Sequence, residues 1–185
     1  MSPTDLDKEE LLAKRAAAGD RKAYRSIYDL HVKSLYAVCA RYIACDEDAK
    51  DVIQDSFLKI FASIGSFEYR GAGSLRSWMT RIVVNEALKS IKLKGRLEFT
   101  DLDSAGEQAD TFESTGDISA DIIFRLIREL PDGYRTIFNL YVIEHRTHKE
   151  ISSLLGIKES TSASQLHRAK AMLAAKLRQT INSQR

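Results

Sequence analysis

The sequence predicts an all-α fold made of two small helical domains that a flexible acidic linker joins. Helices are favoured over strands because only two prolines and nine glycines occur among the 185 residues. The apolar residues also recur at helical rather than alternating spacing. This periodicity is lost in one acidic stretch between two periodic blocks. We therefore expect one domain over residues 5–95, a linker over residues 96–118 and a second domain over residues 119–182.

The formal net charge of +2 conceals an alternation along the chain. Residues 1–95 carry a net charge of +3, residues 96–119 carry −6, and residues 120–185 carry +5. Basic segments are suited to contacts with phosphate groups, whereas DNA repels an acidic segment. The two domains are therefore candidates for nucleic-acid binding, and the linker is not.

Four helices are predicted in the first block. Asp20 follows Gly19 and provides a side-chain cap for the second helix, and three acidic residues suit the N-terminal dipole of the third. The third helix has the clearest apolar stripe, at the i, i+3, i+4, i+7 spacing of one face. The predicted helices are Leu6–Ala18, about Lys22–Ala44, Asp46–Ile64, and a fourth from Leu75 to the basic residues Lys89, Lys92, Lys94 and Arg96.

A glycine-rich loop, Arg70–Gly71–Ala72–Gly73–Ser74, separates the third helix from the fourth. Two glycines so close together break a helix and allow a tight turn. On the fourth helix, Trp78 shares the spacing of Leu75, Ile82 and Val83. This position favours packing in the core over the alternative, a platform on which a base stacks.

The second block regains helical periodicity after the linker, with an interruption at Pro131. Thr147 and Glu150 are spaced as a capping box, and Gly156 suits the left-handed turn that ends a helix. The predicted helices are Asp121–Leu130, about Asp132–Ile143, a short helix between Thr147 and Gly156, and about Glu159–Ile181.

Residues 147–172 match a helix-turn-helix, which needs a short locked helix, a tight turn and a second helix with small or polar outward side chains. If Leu166 and Ala169 face inward, short side chains face outward and basic residues flank them. A plain helical hairpin with a solvated basic face is the alternative. The predicted DNA-contacting residues are Thr147, Lys149, Ser160, Thr161, Ala163, Ser164, His167, Arg168 and Lys170.

Catalytic, metal-binding and membrane functions have little support in the sequence. Cys39 and Cys45 both fall in predicted helices and are expected to be ordinary reduced thiols. His145 and His148 have no third ligand, so we expect no metal, cofactor or catalytic residue. No apolar run is long enough to span a bilayer and the N-terminus has no secretory segment, which predicts a cytoplasmic protein without membrane insertion.

Two blocks of the chain resemble the extracytoplasmic-function (ECF) sigma factors, the compact branch of the sigma-70 family. The first block is Asp48–Phe57 followed by Phe67–Asn85, with the core Arg70–Trp78. The second runs from Leu130–Pro131 to Leu173 and includes His167-Arg168-Ala169-Lys170. The order and spacing of these blocks, with an acidic linker between them, carry the resemblance.

The resemblance implies a transcription initiation factor and not an enzyme, with sigma region 2 over the first domain and sigma region 4 over the second. Its implied partners are promoter DNA, core RNA polymerase at the clamp coiled coil and the flap, and an anti-sigma factor. The acidic linker would thread through the polymerase. The implied polymerase-binding residues are Asp48, Asp51, Gln54 and Asp55.

The resemblance also implies that the first domain melts and recognises the minus-ten element and that the helix-turn-helix recognises the minus-thirty-five element. A glycine-rich loop allows the backbone to approach a flipped base closely. The implied minus-ten residues are Arg70, Gly71, Ala72, Gly73, Ser74, Arg81, Asn85, Lys89 and Lys92.

The chain departs from the family pattern at several positions. Lys158 stands where a Ser or Thr cap is common, Ala163 where a basic residue is common, and Lys89 where an Asp is common. Promoter specificity therefore does not carry over from relatives. Two other functions stay open on the residues alone: a helix-turn-helix regulator that acts without polymerase, and a helical adaptor that does not bind DNA.

Overall fold

The computed structural model describes residues 3–95, Leu97 and residues 119–183, with side chains from residue 8 onward. The described residues form helices and connecting turns without strands, which confirms the all-α prediction. The chain divides into two compact units, residues 1–90 and residues 91–185. The predicted linker over residues 96–118 lies outside the described residues, apart from Leu97.

The first unit is built from four α-helices and one 3₁₀ turn. The third predicted helix ends one residue early, because the chain tightens into the 3₁₀ turn before the glycine-rich loop. The elements are α1 (Pro3–Ala17), α2 (Arg21–Tyr42), α3 (Asp46–Ser63), the 3₁₀ turn (Ile64–Ser66) and α4 (Ser74–Leu93).

Asp20 joins α1 to α2. One carboxylate oxygen of Asp20 accepts hydrogen bonds from the amides of Lys22 at 2.8 Å and Ala23 at 3.4 Å, which caps α2. The other oxygen accepts from the guanidinium of Arg15 at 2.6 and 2.8 Å. The Arg15 hydrogen bond, followed by the Lys22 amide, lowers the pKa of Asp20. The predicted cap is therefore present. The arginine contact also connects α1 to the cap of α2, which the sequence analysis did not predict.

Aromatic rings fill the space between α2 and α3. Tyr24 stacks on Phe61 with ring centroids 4.6 Å apart, and Tyr28 lies 4.6 Å from Phe57. Offset aromatic pairs at this distance contribute about 0.5–1.5 kcal/mol beyond the burial of their area. The predicted stripe of α3 faces inward as expected, and its buried residues are Ala49, Val52, Ile53, Ser56, Phe57 and Ile60.

Over residues 119–183, the second unit forms four α-helices. The predicted helix over Asp132–Ile143 is α-helical only as far as Phe138 and continues as one turn of π-helix, so the single-helix prediction is wrong in its second half. The elements are α5 (Ala120–Arg128), α6 (Asp132–Phe138), the π turn (Asn139–Ile143), α7 (His148–Leu155) and α8 (Glu159–Ser183).

The core of the second unit lies between α5 and α8. Leu126 and Ile127 of α5, with Leu130 beyond its end, pack with the α8 residues Ala169, Leu173 and Leu177. The inward direction predicted for the α8 stripe is confirmed, since all three α8 residues are buried.

Arg135 stabilises the corner between α5 and α6, where Pro131 interrupts the chain. Arg135 is 2% exposed, and its guanidinium pairs with Asp132 and donates to the carbonyl oxygens of Arg128 at 3.0 Å and Leu130 at 2.7 Å. These carbonyls are at the end of α5, where the helix provides no further amide groups to donate to them. A buried charge is tolerated here because the guanidinium is both paired and hydrogen-bonded.

The two cysteines have different surroundings. Cys39 is buried in α2, and burial raises the pKa of its thiol to about 12. Cys45 is exposed and directly precedes α3, so the prediction that it lies within a helix is wrong. In the part of the chain that the structure describes, no group of three or more metal-ligating side chains comes together. None of the described helices is long and apolar enough to cross a membrane.

We expect iodoacetamide to alkylate Cys45 in the folded protein and to leave Cys39 unmodified until the chain unfolds. The thiolate is the reactive form, and burial keeps the Cys39 thiol protonated. Peptide mass spectrometry with and without denaturant measures both sites, and Cys45→Ser serves as the control. Equal rates of alkylation of the two thiols under native conditions would contradict the burial of Cys39.

Candidate nucleic-acid and protein interfaces

A complete capping box begins α7. The Glu150 amide donates to the Thr147 hydroxyl at 3.2 Å, and the Thr147 amide donates to the Glu150 carboxylate at 2.8 Å. The backbone hydrogen bond from Thr147, followed by its side-chain hydrogen bond, lowers the pKa of Glu150. The predicted capping box is confirmed.

Gly156 ends α7 in the left-handed conformation, with φ 72° and ψ 35°. The Ser152 carbonyl accepts from the amides of Gly156 at 2.8 Å and Ile157 at 3.1 Å. A residue with a Cβ is strained at this φ even though the space around Gly156 is open. Gly156 therefore sets the position at which α8 can begin.

His148 joins the start of α7 to the start of α8. Its Nδ1 lies 2.9 Å from the Ser162 hydroxyl, and its ring stacks on Tyr141 with centroids 4.5 Å apart. Ser162 is fully buried. His148 thus has a structural role that its sequence spacing with His145 does not indicate, while His145 is exposed on the loop between the π turn and α7.

The side of α8 that points away from its core carries short polar side chains. Its residues follow the spacing of one helix face, opposite to Leu166 and Ala169. Basic residues lie at the edges of this face and at the start of α7. Among the predicted residues, Thr147, Lys149, Ser160, Ala163 and Lys170 are exposed, and Ser164, His167 and Arg168 are half-buried.

The structure corrects one predicted residue of this face. Thr161 is only 6% exposed, and its carbonyl oxygen accepts from the Ser164 hydroxyl at 3.0 Å. One step along a helix rotates the side chain by about 100°, which turns Thr161 away from the face that holds Ser160. Thr161 therefore belongs to the interior of the second unit.

A cleft of 590 Å³ lies where the glycine-rich loop meets α4. Five of its ten lining residues are among those that the resemblance assigns to the minus-ten element, and the other five are not. Trp78 is half-buried against Phe67, with ring centroids 5.3 Å apart, and forms part of the wall rather than the core. The lining residues are Ser66, Phe67, Glu68, Arg70, Ala72, Gly73, Ser74, Ser77, Trp78 and Arg81.

Two glycines with positive φ shape the loop beside this cleft. Gly71 has a φ of 109° and Gly73 a φ of 78°. The Ser74 hydroxyl accepts from the Arg70 amide at 3.2 Å, and the Ser74 amide donates to the Gly71 carbonyl at 3.1 Å. These bonds close the loop on itself and start α4 at Ser74.

A polar and basic stripe continues from the cleft along α4. Arg81, Asn85, Lys89 and Lys92 are exposed and follow one another at spacings of three or four residues. This spacing places them on the same face as Trp78. The predicted minus-ten residues therefore fall into two adjoining groups, the loop with its cleft and the α4 stripe.

The outward face of α3 is acidic around one apolar side chain. Asp51, Gln54 and Asp55 are exposed, whereas Asp48 is half-buried. Leu58 lies at helical spacing from Asp51, Gln54 and Asp55, and it is 64% exposed. The face thus combines exposed carboxylates with one exposed apolar side chain.

Two family models match the chain, "Sigma-70 region 2" over residues 27–97 and "Sigma-70, region 4" over residues 120–173. The ECF RNA polymerase sigma factor SigW of Bacillus subtilis is 28% identical, over 89% of this chain and 94% of its own length. The ECF RNA polymerase sigma-E factor of Salmonella typhimurium is 27% identical, over 94% of this chain and 96% of its own length. The solved structure of CnrH in complex with the cytosolic domain of CnrY is 21% identical, with a TM-score of 0.45, and covers 90% of this chain and 95% of that chain.

A helix-turn-helix with short outward side chains is the geometry of a DNA-binding protein. With both sigma-70 regions matched in the order of the two predicted domains, the chain belongs to the sigma-70 family of RNA polymerase sigma factors, in its ECF branch. The resemblance inferred from the sequence is confirmed. Factors of this family act with RNA polymerase at promoter DNA to initiate transcription.

We expect Gly156→Ala to lower the local stability of α7 and α8 by about 1–2 kcal/mol, the cost of placing a Cβ in the left-handed conformation. Hydrogen exchange of the amides in these two helices measures this loss. Gly65→Ala is the matched control, because Gly65 is in equally open space without a left-handed φ. Equal protection in the variant and the wild type would mean that the turn tolerates a side chain.

We expect Lys170→Ala to reduce the slope of log affinity against log salt concentration by about one, since one phosphate contact is lost. The assay is fluorescence anisotropy of the full chain on a random-sequence duplex. Lys176→Ala is the control, because Lys176 pairs with Glu129, the residue that follows α5, at 2.7 Å. A larger change in slope for Lys176→Ala than for Lys170→Ala would place the DNA on a different face.

Proposed function

We propose that this sigma factor binds core RNA polymerase through the outward face of α3, against the clamp coiled coil. The support is the exposed carboxylates of Asp51 and Asp55 beside the amide of Gln54 and the apolar Leu58. Carboxylates attract a basic partner helix and orient it during encounter. Leu58 provides an apolar contact at the centre, where interface residues contribute most to affinity.

The cleft at the glycine-rich loop is proposed to receive one flipped base of the minus-ten element. Its volume of 590 Å³ and its aromatic wall of Phe67 and Trp78 support this role. A base taken out of the stack gains contact with aromatic side chains and leaves its polar edges free for hydrogen bonds. Arg81, Asn85 and Lys89 would then follow the melted strand along α4.

The outward face of α8 is proposed to enter the major groove at the minus-thirty-five element. Ser160, Ala163 and His167 are the candidates for base contacts, since short side chains let the helix approach the base edges. Lys149 and Lys170 would bind phosphates, which fix the register of the helix rather than the sequence it recognises.

The remaining proposals concern partners. We propose that the factor acts in the cytoplasm together with its polymerase. Its acidic linker would lie along the polymerase interior, and its second unit would contact the flap. An anti-sigma protein is proposed to cover surface that polymerase would otherwise use. The similarity of the chain to ECF sigma factors supports a partner of this kind.

The test of the polymerase contact is retention of bacterial core RNA polymerase by the immobilised full chain. We expect the double variant Asp51→Lys, Asp55→Lys to retain at least tenfold less core than the wild type, because each substitution places a positive charge opposite a basic partner. The charge-matched control is Glu10→Lys, Asp29→Lys, which changes two other solvent-facing carboxylates of the same unit.

Loss of core by both double variants would mean that overall charge, and not the α3 face, governs binding. Equal retention by all three proteins would remove the α3 face as the contact. In that case the stand-alone DNA-binding regulator becomes the leading hypothesis for how the chain acts.

A further inference from the structure

The glycine-rich loop is attached to a helix that lies far away in the sequence. The Gly73 amide donates to the Glu9 carboxylate of α1 at 2.9 Å, across 64 residues of chain. Gly73 is the residue that precedes α4, and its carbonyl accepts from the Ser77 amide at 2.9 Å. The carboxylate therefore lies at the positive end of the α4 dipole, where a negative charge is stabilised.

The position of Glu9 is set by the packing of α1. Ala13 and Ala16 of this helix are buried, as is Ile64 of the 3₁₀ turn, against which α1 packs. His31 of α2 is also near: burial lowers the pKa of His31, and the negative charge of Glu9 offsets part of this shift. Packing of α1 against α2 and the 3₁₀ turn thus holds Glu9 in place from outside the loop.

The loop needs such an attachment because it contains two glycines with positive φ. Glycine gives the backbone more conformational freedom than any other residue. A loop that binds a ligand loses this freedom on binding, unless contacts within the protein have already ordered it. The Glu9 contact orders the backbone at Gly73, which is itself part of the cleft wall.

We infer that Glu9 is a positioning residue for minus-ten DNA: by holding the Gly73 amide, it keeps the glycine-rich loop in the conformation that accepts a flipped base. This inference rests on the proposed role of the cleft. Glu9 itself touches no base. Its effect passes through one backbone hydrogen bond to the cleft wall.

The test uses holoenzyme assembled from core polymerase and the full chain, on a promoter selected from a randomised duplex library with the wild-type factor. Permanganate reactivity of unpaired thymines measures promoter opening. We expect Glu9→Ala to reduce opening about tenfold, the size of one lost charge-assisted hydrogen bond. Glu9→Gln keeps an oxygen that accepts from the Gly73 amide, so it should restore most of the opening.

Glu10→Ala is the matched control, because Glu10 neighbours Glu9 but pairs with Lys14 on α1 at 2.6 Å. Core retention and thermal unfolding are measured for every variant. Wild-type opening by Glu9→Ala would overturn the inference. So would equal losses for Glu9→Ala and Glu9→Gln, or a loss of opening that follows from lost core retention or lost stability.

Arg81→Ala separates this inference from the proposed function of the cleft. Arg81 lines the cleft and is exposed, so its removal should reduce opening if the cleft binds DNA. Reduced opening by Arg81→Ala with normal opening by Glu9→Ala would overturn only the role of Glu9. Normal opening by both variants would overturn the role of the cleft and, with it, the inference.

Discussion

The two helices that carry the candidate DNA contacts both begin where the backbone has to adopt a positive φ. Gly71 and Gly73 precede α4, and Gly156 lies three residues before α8. None of these glycines has a neighbour that would exclude a Cβ, so the requirement is one of backbone conformation and not of space. A shift of either helix start by one residue would rotate all its side chains by about 100°, and the exposed faces would carry different residues.

Within the first unit, oppositely charged surfaces are on two connected helices. The outward face of α3 is acidic, and the stripe on α4 is polar and basic. Lys59 of α3 and Glu86 of α4 form an ion pair across 27 residues, and Glu86 is mostly shielded from solvent. This pair ties the helix proposed to bind polymerase to the helix proposed to bind DNA. Segregation of charge keeps the acidic face from competing with DNA for the basic stripe.

Local patterns predicted most of the fold and only part of the candidate sites. The Asp20 cap, the Thr147–Glu150 box and the Gly156 turn each depend on a few neighbouring residues, which a sequence displays directly. Thr161 was misplaced because one step of helical rotation decides between the surface and the interior. Trp78 lies at the edge of its apolar stripe, so periodicity alone did not separate core from cleft wall. The Glu9–Gly73 contact joins residues 64 positions apart, which no local pattern contains. The Arg15–Asp20 contact crosses the turn between α1 and α2, which helical periodicity does not describe.

The corner at Pro131 has an evolutionary consequence. Proline interrupts the chain after α5, and the carbonyls of Arg128 and Leu130 accept from Arg135, which lies seven and five residues further along the chain. A lysine has a single ammonium group and lacks the planar fork that serves these carbonyls and Asp132 together. Substitution of Arg135 while Pro131 remains would leave buried acceptors unsatisfied. We therefore expect sequences that keep Pro131 also to keep an arginine at position 135.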